Sequence, residues 1–318
     1  MLLYIARRFF LMIVILFLVS IMVFGLINII PGDPASLMLG QEATPQALAS
    51  LRQNLGLNDP LYLQYIHWVG GVLQGNLGYS LSDHTPVLNI LLSKIPVTLE
   101  LTIFAFLLAV LIAVPAGIIS AVHKGSVWDY VTTVFALSGV SIPAFWLGIL
   151  LIYLLSLTLG WLPPSGYVAF AQNPVRNIIL MIMPSIALGI RLSAQLTRML
   201  RSSLLEVMQS DYIRTGYAKG LLEKAVVFKH ALRNAMLPVL TVAGLELSSF
   251  LGGAVITETI FAVPGLGQLI VNAILTRDFP VVQGAILFMA FAVVIVNFLV
   301  DIAYSLLDPR ISLGGASK

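Results

Sequence analysis

The chain has 318 residues, 59% of them hydrophobic and 10% charged, with a mean hydropathy of +0.99 and a formal net charge of +3. Soluble domains carry about 25% charged residues, so the composition excludes a water-soluble globule, and the small net charge gives no reason to invoke nucleic acid. With no cysteine, disulfides and thiolate metal sites are excluded and the redox compartment stays open.

Apolar runs predict an all-α membrane protein with six transmembrane helices, at about 9–30, 98–122, 130–157, 178–200, 238–261 and 282–306. Each can cross roughly 30 Å of hydrocarbon at about 1.5 Å per residue. The first follows Arg7 and Arg8 like a signal peptide, but the run from Phe9 to Ile30 is too long and lacks a small-residue cleavage site. It reads as an uncleaved span, making 1–30 the first segment.

The long loop 31–97 carries Thr44-Pro45, Asp59-Pro60 and Thr85-Pro86, each pairing an N-cap residue with proline at the first helical position. Ala47, Leu48, Leu51 and Leu55 recur at helical spacing before Gly56. Tyr62, Tyr65, Ile66, Val69, Val72 and Leu73 do so before Gly75. Three short amphipathic helices are expected, lying on the outer membrane face or on the spans. They form either a lid over helix ends or a platform for an external partner.

Pro115, Pro143 and Pro184 fall inside spans, where each removes a backbone hydrogen bond and is expected to kink its helix. Arg191 and Glu246 lie at nearly equal depth in the fourth and fifth spans. Unpaired at mid-bilayer, either costs at least about 2.5 kcal/mol. They are expected to pair with each other, or each to face a polar cavity or subunit interface, which makes both translocation-path candidates. Asp301, with Tyr304 and Asp308, reads as an interfacial anchor.

Lys/Arg residues orient the spans. The N-terminus, the 123–129 loop, the 201–237 loop with its approach from Arg198, and the C-terminus carry twelve; the opposite loops carry Arg52, Lys94, Arg176 and Arg277. This positive-inside bias places both termini and the 307–318 tail in the cytoplasm and the 31–97 loop outside.

The block from Ser210 to Pro238 is the one long polar, helix-forming stretch between two apolar spans. It holds Arg214, Lys219, Lys224, Lys229 and Arg233 against Asp211 and Glu223. Asp211 suits an N-cap or first turn, Gly220 interrupts, and a second helix starts near Leu222-Glu223. Pro238 is placed at the start of the fifth span. Tyr212, Ile213, Tyr217, Leu221, Leu222 and Phe228 need a surface to pack on, either the membrane or a cytoplasmic partner.

No G-x-x-x-x-G-K-[ST] run occurs, Gly265-Leu266-Gly267 lacks a third glycine, and His67, His84, His123 and His230 have no metal-ligand spacing. No nucleophile elbow or carboxylate dyad stands out. The chain reads as no enzyme and as binding no cofactor or metal; any ATP chemistry is expected from a separate subunit.

The Ser210–Pro238 block resembles the EAA loop of membrane subunits from binding-protein-dependent ABC importers. Gly220 falls on the motif glycine, while Arg214-Thr215-Gly216 stand at the E-A-A positions and depart from the general pattern. The variant Asp211-Tyr212-Ile213-Arg214-Thr215-x-x-Ala218-Lys219-Gly220-Leu221, with His230-Ala231-Leu232-Arg233-Asn234 and Pro238, resembles the dipeptide/oligopeptide/nickel permeases, in which alanine is commoner than the glycine at Gly216. Pro31-Gly32-Asp33-Pro34, Gly56-Leu57-x-x-Pro60-Leu61-Tyr62-x-Gln64-Tyr65, Gly75-x-Leu77-Gly78-x-Ser80, Phe261-x-x-Pro264-Gly265-Leu266-Gly267, Arg277-Asp278-x-Pro280-Val281 and Leu307-Asp308-Pro309-Arg310 extend the resemblance over nearly the whole chain. The long first loop looks like the first of the two dissimilar permeases of such transporters.

The resemblance implies the type I ABC importer permease fold of methionine-importer type, with the core at 98–306. It implies a bacterial inner-membrane location, a second homologous permease, two cytoplasmic ABC ATPases carrying ATP and Mg, and an external substrate-binding protein. It assigns ATPase coupling to Asp211, Tyr212, Arg214, Thr215, Gly216, Tyr217, Ala218, Lys219, Gly220, Leu221 and His230. The rivals are a self-contained secondary transporter driven by an ion gradient and a non-transporting scaffold.

Overall fold

The computed structural model describes residues 2–29, 36, 44–54 and 56–307. Its elements are α1 (Leu2–Ile29), α2 (Pro45–Asn54), α3 (Leu61–Leu73), α4 (Val87–Val122), α5 (Val127–Ser141), α6 (Ala144–Leu151), α7 (Pro174–Met208), α8 (Asp211–Ala218), α9 (Leu232–Phe261), α10 (Leu266–Leu275) and α11 (Phe279–Leu307). They divide into two compact units, one of 99–263 with the segment from Leu299 onward, the other of 2–98 with 264–298. Pro31 to Pro34, Leu55, and the tail beyond Leu307 with Asp308-Pro309-Arg310, lie outside the described residues.

Among the described residues, five helices are long and apolar enough to cross a membrane: α1, α4, α7, the run through α9, and α11. The predicted third span, 130–157, is broken. α5 and α6 meet at 107°. Pro143, with φ −63° and ψ 136°, has no N–H to continue the helix and holds Ile142 extended at φ −81°, ψ 123°. α6 then widens into a π-helix at Ile152–Thr158. Pro115 and Pro184 do not act this way, because α4 and α7 run through them unbroken.

In the first unit α7 is the most enclosed helix, packed against α5, α6 and α9. Asn173 caps it, accepting from the Arg176 N–H at 3.0 Å, with Pro174 in the first turn. Small residues set the packing distance, as membrane helices require where hydrophobic force between them is absent. Ala105, Ala109 and Ala113 form a buried stripe on α4. A Cβ on Gly189 would stand 2.5 Å from the Ala105 carbonyl oxygen, one on Gly117 2.9 Å from Leu200, and one on Gly139 2.8 Å from Ala194.

The second unit is built on Val87 and Leu91 of α4, Leu266 and Ala273 of α10, and Val281, Val282 and Ala285 of α11. α1 joins α11 through Phe9 and Phe298, edge to face at 6.4 Å. In the 31–97 loop, Thr44 caps α2 by accepting from the Ala47 N–H at 3.2 Å. Gly56 (φ 66°) and Gly75 (φ 80°) take the left-handed conformation after α2 and α3. Two of the loop expectations change. α3 begins at Leu61 with Pro60, not Asp59, in the flanking position and no side-chain cap. The expected third short helix is the start of α4, which runs without interruption from Val87 to Val122.

Candidate functional site

The 201–237 loop forms a compact knob. α7 ends at Met208, Ser210 flanks α8, and Asp211 occupies its first turn. α8 closes in a Schellman arrangement: the Leu221 N–H donates to the Gly216 carbonyl at 3.3 Å and the Gly220 N–H to Tyr217 at 2.9 Å. Gly220 sits at φ 78°, in the left-handed region. A Cβ there would meet nothing within 4 Å, so the backbone angle, not space, selects glycine. At Gly216 a Cβ would make ordinary contact with Leu221 at 3.6 Å.

The second helix of the block differs from expectation. It is not a short separate piece: Glu223–Ala225 passes through a π-helix, Val226–Ala231, directly into α9, so 223–261 is one helical run. Pro238 therefore lies inside the helix and not at its start. Val227, Ala231, Ala235, Val239 and Ala243, four residues apart, are all buried and hold this run against the rest of the unit.

α8 packs on the π-helix, with Ile213, Val226 and Val227 buried between them. The outer surface exposes Tyr212, Tyr217, Leu221, Leu222 and Phe228, the last two at 79% and 58%. Arg214, Thr215, Ala218, Lys219, Lys224, Lys229, His230 and Arg233 are exposed around them. Asn234 donates from Nδ2 to the Tyr212 hydroxyl at 2.8 Å, tying α8 to α9. The Arg214–Asp211 pair, 3.8 Å apart and fully in solvent, contributes little. An apolar surface ringed by cations is suited to a protein groove with acidic margins.

Beside the knob's approach lies a clamp that the sequence reading missed. Asp129 at the start of α5 is buried and accepts from Arg201 Nε at 2.7 Å and Nη2 at 2.9 Å, from the Ser120 hydroxyl, and from the Gly125 N–H at 2.9 Å. The two-pronged guanidinium–carboxylate geometry fixes α7 to the α4–α5 turn in direction as well as distance.

Arg191 and Glu246 do not pair. Arg191 is exposed on α7, and Glu246, half-buried on α9, accepts instead from the Ser249 hydroxyl at 2.9 Å. Other polar groups stand in the apolar helices. Glu258 of α9 is fully buried. Glu100 of α4 accepts from the Tyr167 hydroxyl at 2.8 Å through one oxygen, while its other oxygen is buried without a hydrogen-bond partner. Thr102, Asn177 and Ser185 on α4 and α7 likewise bury an oxygen that has no such partner. Burial first, and then the bond to Glu100, push the Tyr167 hydroxyl up to about 12, so it stays a donor at physiological pH.

In the second unit, Asp278 joins two of the sequence motifs. Buried just after α10, it accepts from the Ser80 and Ser82 hydroxyls, the latter at 2.9 Å, and from the Leu81 N–H at 3.1 Å. Ser80 closes the Gly75–Ser80 motif and Asp278 is the second residue of the Arg277–Val281 one. Their mutual purpose is a latch on the loop before α4.

Residues 113–313 match the model of the family described as binding-protein-dependent transport system inner membrane component, and residues 1–102 match its N-terminal model. The chain is 43% identical to the dipeptide transport system permease protein DppB of Alkalihalophilus pseudofirmus, over 98% of this chain and 99% of that one. It is 45% identical to the di/tripeptide transport system permease protein DppB of Pseudomonas aeruginosa, with the same coverage, and 40% identical to the dipeptide permease DppB of Escherichia coli. Among solved structures it resembles a chain of the MetNI methionine ABC transporter in inward-facing conformations, with a TM-score of 0.55 and 18% identity over 69% of this chain and 96% of that one. That likeness carries the fold, the methionine-importer type of ABC permease. An all-helical, multi-pass chain of the inner membrane, this protein belongs to the family of inner membrane components of binding-protein-dependent transport systems.

Proposed function

We propose that the chain is a permease subunit of an ATP-driven importer of di- and oligopeptides, contributing half of the translocation path and no catalytic site of its own. The knob at 211–230 carries this reading: an exposed apolar and cationic surface stands at the head of one continuous helical run, 223–261, that enters the core. A pull on the 223–230 part of the knob is then a pull on α9, and α8 follows through its packing on Val226 and Val227 and the Asn234–Tyr212 hydrogen bond.

In this account both termini and the knob are cytoplasmic, as the excess of Lys and Arg on those segments supports. Two ABC ATPase subunits hold ATP and Mg and seat the knob; a second homologous permease completes the path; a binding protein delivers peptide from outside. ATPase closure moves α8 and α9 and opens the cavity outward, and hydrolysis returns it inward. Arg191 and Glu246 serve as separate path candidates, because they do not neutralise each other. Peptide is the substrate that the names of the relatives at 40–45% identity support.

Gentle solubilisation of the tagged chain tests the assembly: a second permease and a Walker-motif ATPase are expected to co-purify, and the reconstituted complex to take up dipeptide only with ATP. Uptake by the chain alone, insensitive to ATP, is the result of a secondary transporter and overturns the reading. A chain that binds a cytoplasmic partner but moves nothing is a scaffold.

A further inference from the structure

The helix α3 (Leu61–Leu73) falls in a loop that the charge pattern assigns to the outside, yet its chemistry is not that of a water-exposed helix. Its thirteen residues include no Asp, Glu, Lys or Arg. Its glutamine is turned inward: Gln64 Nε2 donates to the backbone oxygens of Leu57 at 3.2 Å and Asp59 at 2.8 Å, folding the amide back on the preceding turn. The large apolar side chains that point away from the protein are Leu61, Tyr62, Ile66 and Leu73, exposed at 59%, 65%, 58% and 83%, with the imidazole of His67 the one exposed polar side chain among them. In water each leaves unused the roughly 1.5–3 kcal/mol that burying such a side chain yields. α3 is therefore uncharged by Asp, Glu, Lys or Arg and mainly apolar on its outward face, His67 excepted, which departs from the expected amphipathic surface helix.

Its depth follows from what it touches. Tyr65 packs edge to face on Phe17 at 6.5 Å and on Phe24 at 5.5 Å, its hydroxyl shares a 2.8 Å hydrogen bond with Ser20, and Trp68 lies 5.8 Å from Phe24. The apolar run of α1 begins at Phe9 and continues to Ile30 in the sequence. Ser20 is within about 1 Å of its midpoint and Phe17 within about 4 Å, at 1.5 Å per residue. A hydrocarbon core about 30 Å thick extends about 15 Å either side of the midplane. Whichever way α1 points, its contact with Tyr65 is inside that core. A helix of thirteen residues is about 20 Å long, too short to span and of the length typical of re-entrant or interfacial segments.

We propose that α3 is a membrane-embedded helix, seated against the middle and one end of α1 with lipid acyl chains covering its Tyr62–Ile66–Leu73 face. The exposed flank of α1, including Phe17, Leu18 and Met22, continues the same apolar surface. The α3 stretch, Leu61–Leu73, then lies in the bilayer as an anchor and not as a landing face for the binding protein. This depends on α1 crossing the bilayer and not on what is transported.

The chain contains no cysteine, so single substitutions report cleanly. Ile66→Cys and Leu73→Cys are made in the full chain within its reconstituted complex, with Asp83→Cys as an aqueous control and Met22→Cys as a lipid-facing one. Both α3 thiols are expected to react with a membrane-impermeant maleimide about tenfold or more slowly than Asp83→Cys, since apolar surroundings disfavour the reactive thiolate. Bimane attached to them is expected to be quenched by brominated acyl chains as at Met22→Cys. Labelling as fast as Asp83→Cys in the absence of binding protein overturns the proposal. So does slow labelling without quenching by brominated lipid, which puts a protein surface over this face.

Discussion

Glycines in this chain do different work at each position, and the backbone says which. At Gly189 a side chain would drive a Cβ to 2.5 Å from the Ala105 carbonyl oxygen. Gly189→Ala is expected to push α4 and α7 apart at a cost of about 1–3 kcal/mol, read as a lower thermal midpoint and poorer yield of the solubilised complex. Gly216 has room, so Gly216→Ala is expected to raise stability by about 0.5–1 kcal/mol and leave uptake intact. At Gly220 space is free but φ is 78°, so Gly220→Asn, which tolerates that conformation, is expected to keep most uptake while Gly220→Val loses it without blocking insertion. A loss from Asn as large as from Val would point to bulk as the constraint instead. Such glycines are partly legible in sequence: Gly56, Gly75 and Gly220 follow helical runs, a local signal. Asp129 and Asp278 are not, because their partners Arg201 and Ser80 lie 72 and 198 residues away in the chain and only the fold joins them.

Between elements, the Asp129–Arg201 clamp carries the clearest energetic consequence. The Asp129 side chain is 7% exposed and that of Arg201 31%, so water screens only one partner. Asp129→Ala leaves four donors on three residues without their acceptor and is expected to destabilise by about 2–4 kcal/mol, below the full value for a completely buried pair. Arg201→Lys is expected to recover little, since one ammonium cannot reproduce two parallel bonds. Thermal unfolding of the two variants checks both statements; full recovery by lysine would show that charge alone matters. Helix boundaries were readable where caps are local, as with Thr44-Pro45, and misread where tertiary packing decides. Pro143 breaks its span whereas Pro115, Pro184 and Pro238 do not. For Pro238 a signal did exist: the apolar spacing Val227, Ala231, Ala235, Val239, Ala243 continues straight through it. The wide π-turns at 152–158 and 226–231 leave no comparable trace, since they differ from α-helix only in hydrogen-bond register.

For the whole molecule, membrane class came from composition and hydropathy alone, and the family from motifs scattered along the chain. What those signals do not contain is the pairing of distant motifs, such as the Asp278 latch, or the depth of α3 against α1. The mechanical claim is that force enters at the exposed face of the knob and travels through the unbroken 223–261 run. Substituting Leu222→Asp and Phe228→Asp removes the apolar face without touching Ile213, Val226 or Val227, which hold the knob together. The most direct measurement is ATP hydrolysis and dipeptide uptake, made together in proteoliposomes that contain the complete complex. The doubly substituted chain is expected to insert and keep its second permease while ATPase retention, substrate-stimulated hydrolysis and uptake fall together. Uptake that persists at the unsubstituted rate in that variant, or in liposomes lacking the ATPases, would contradict the account.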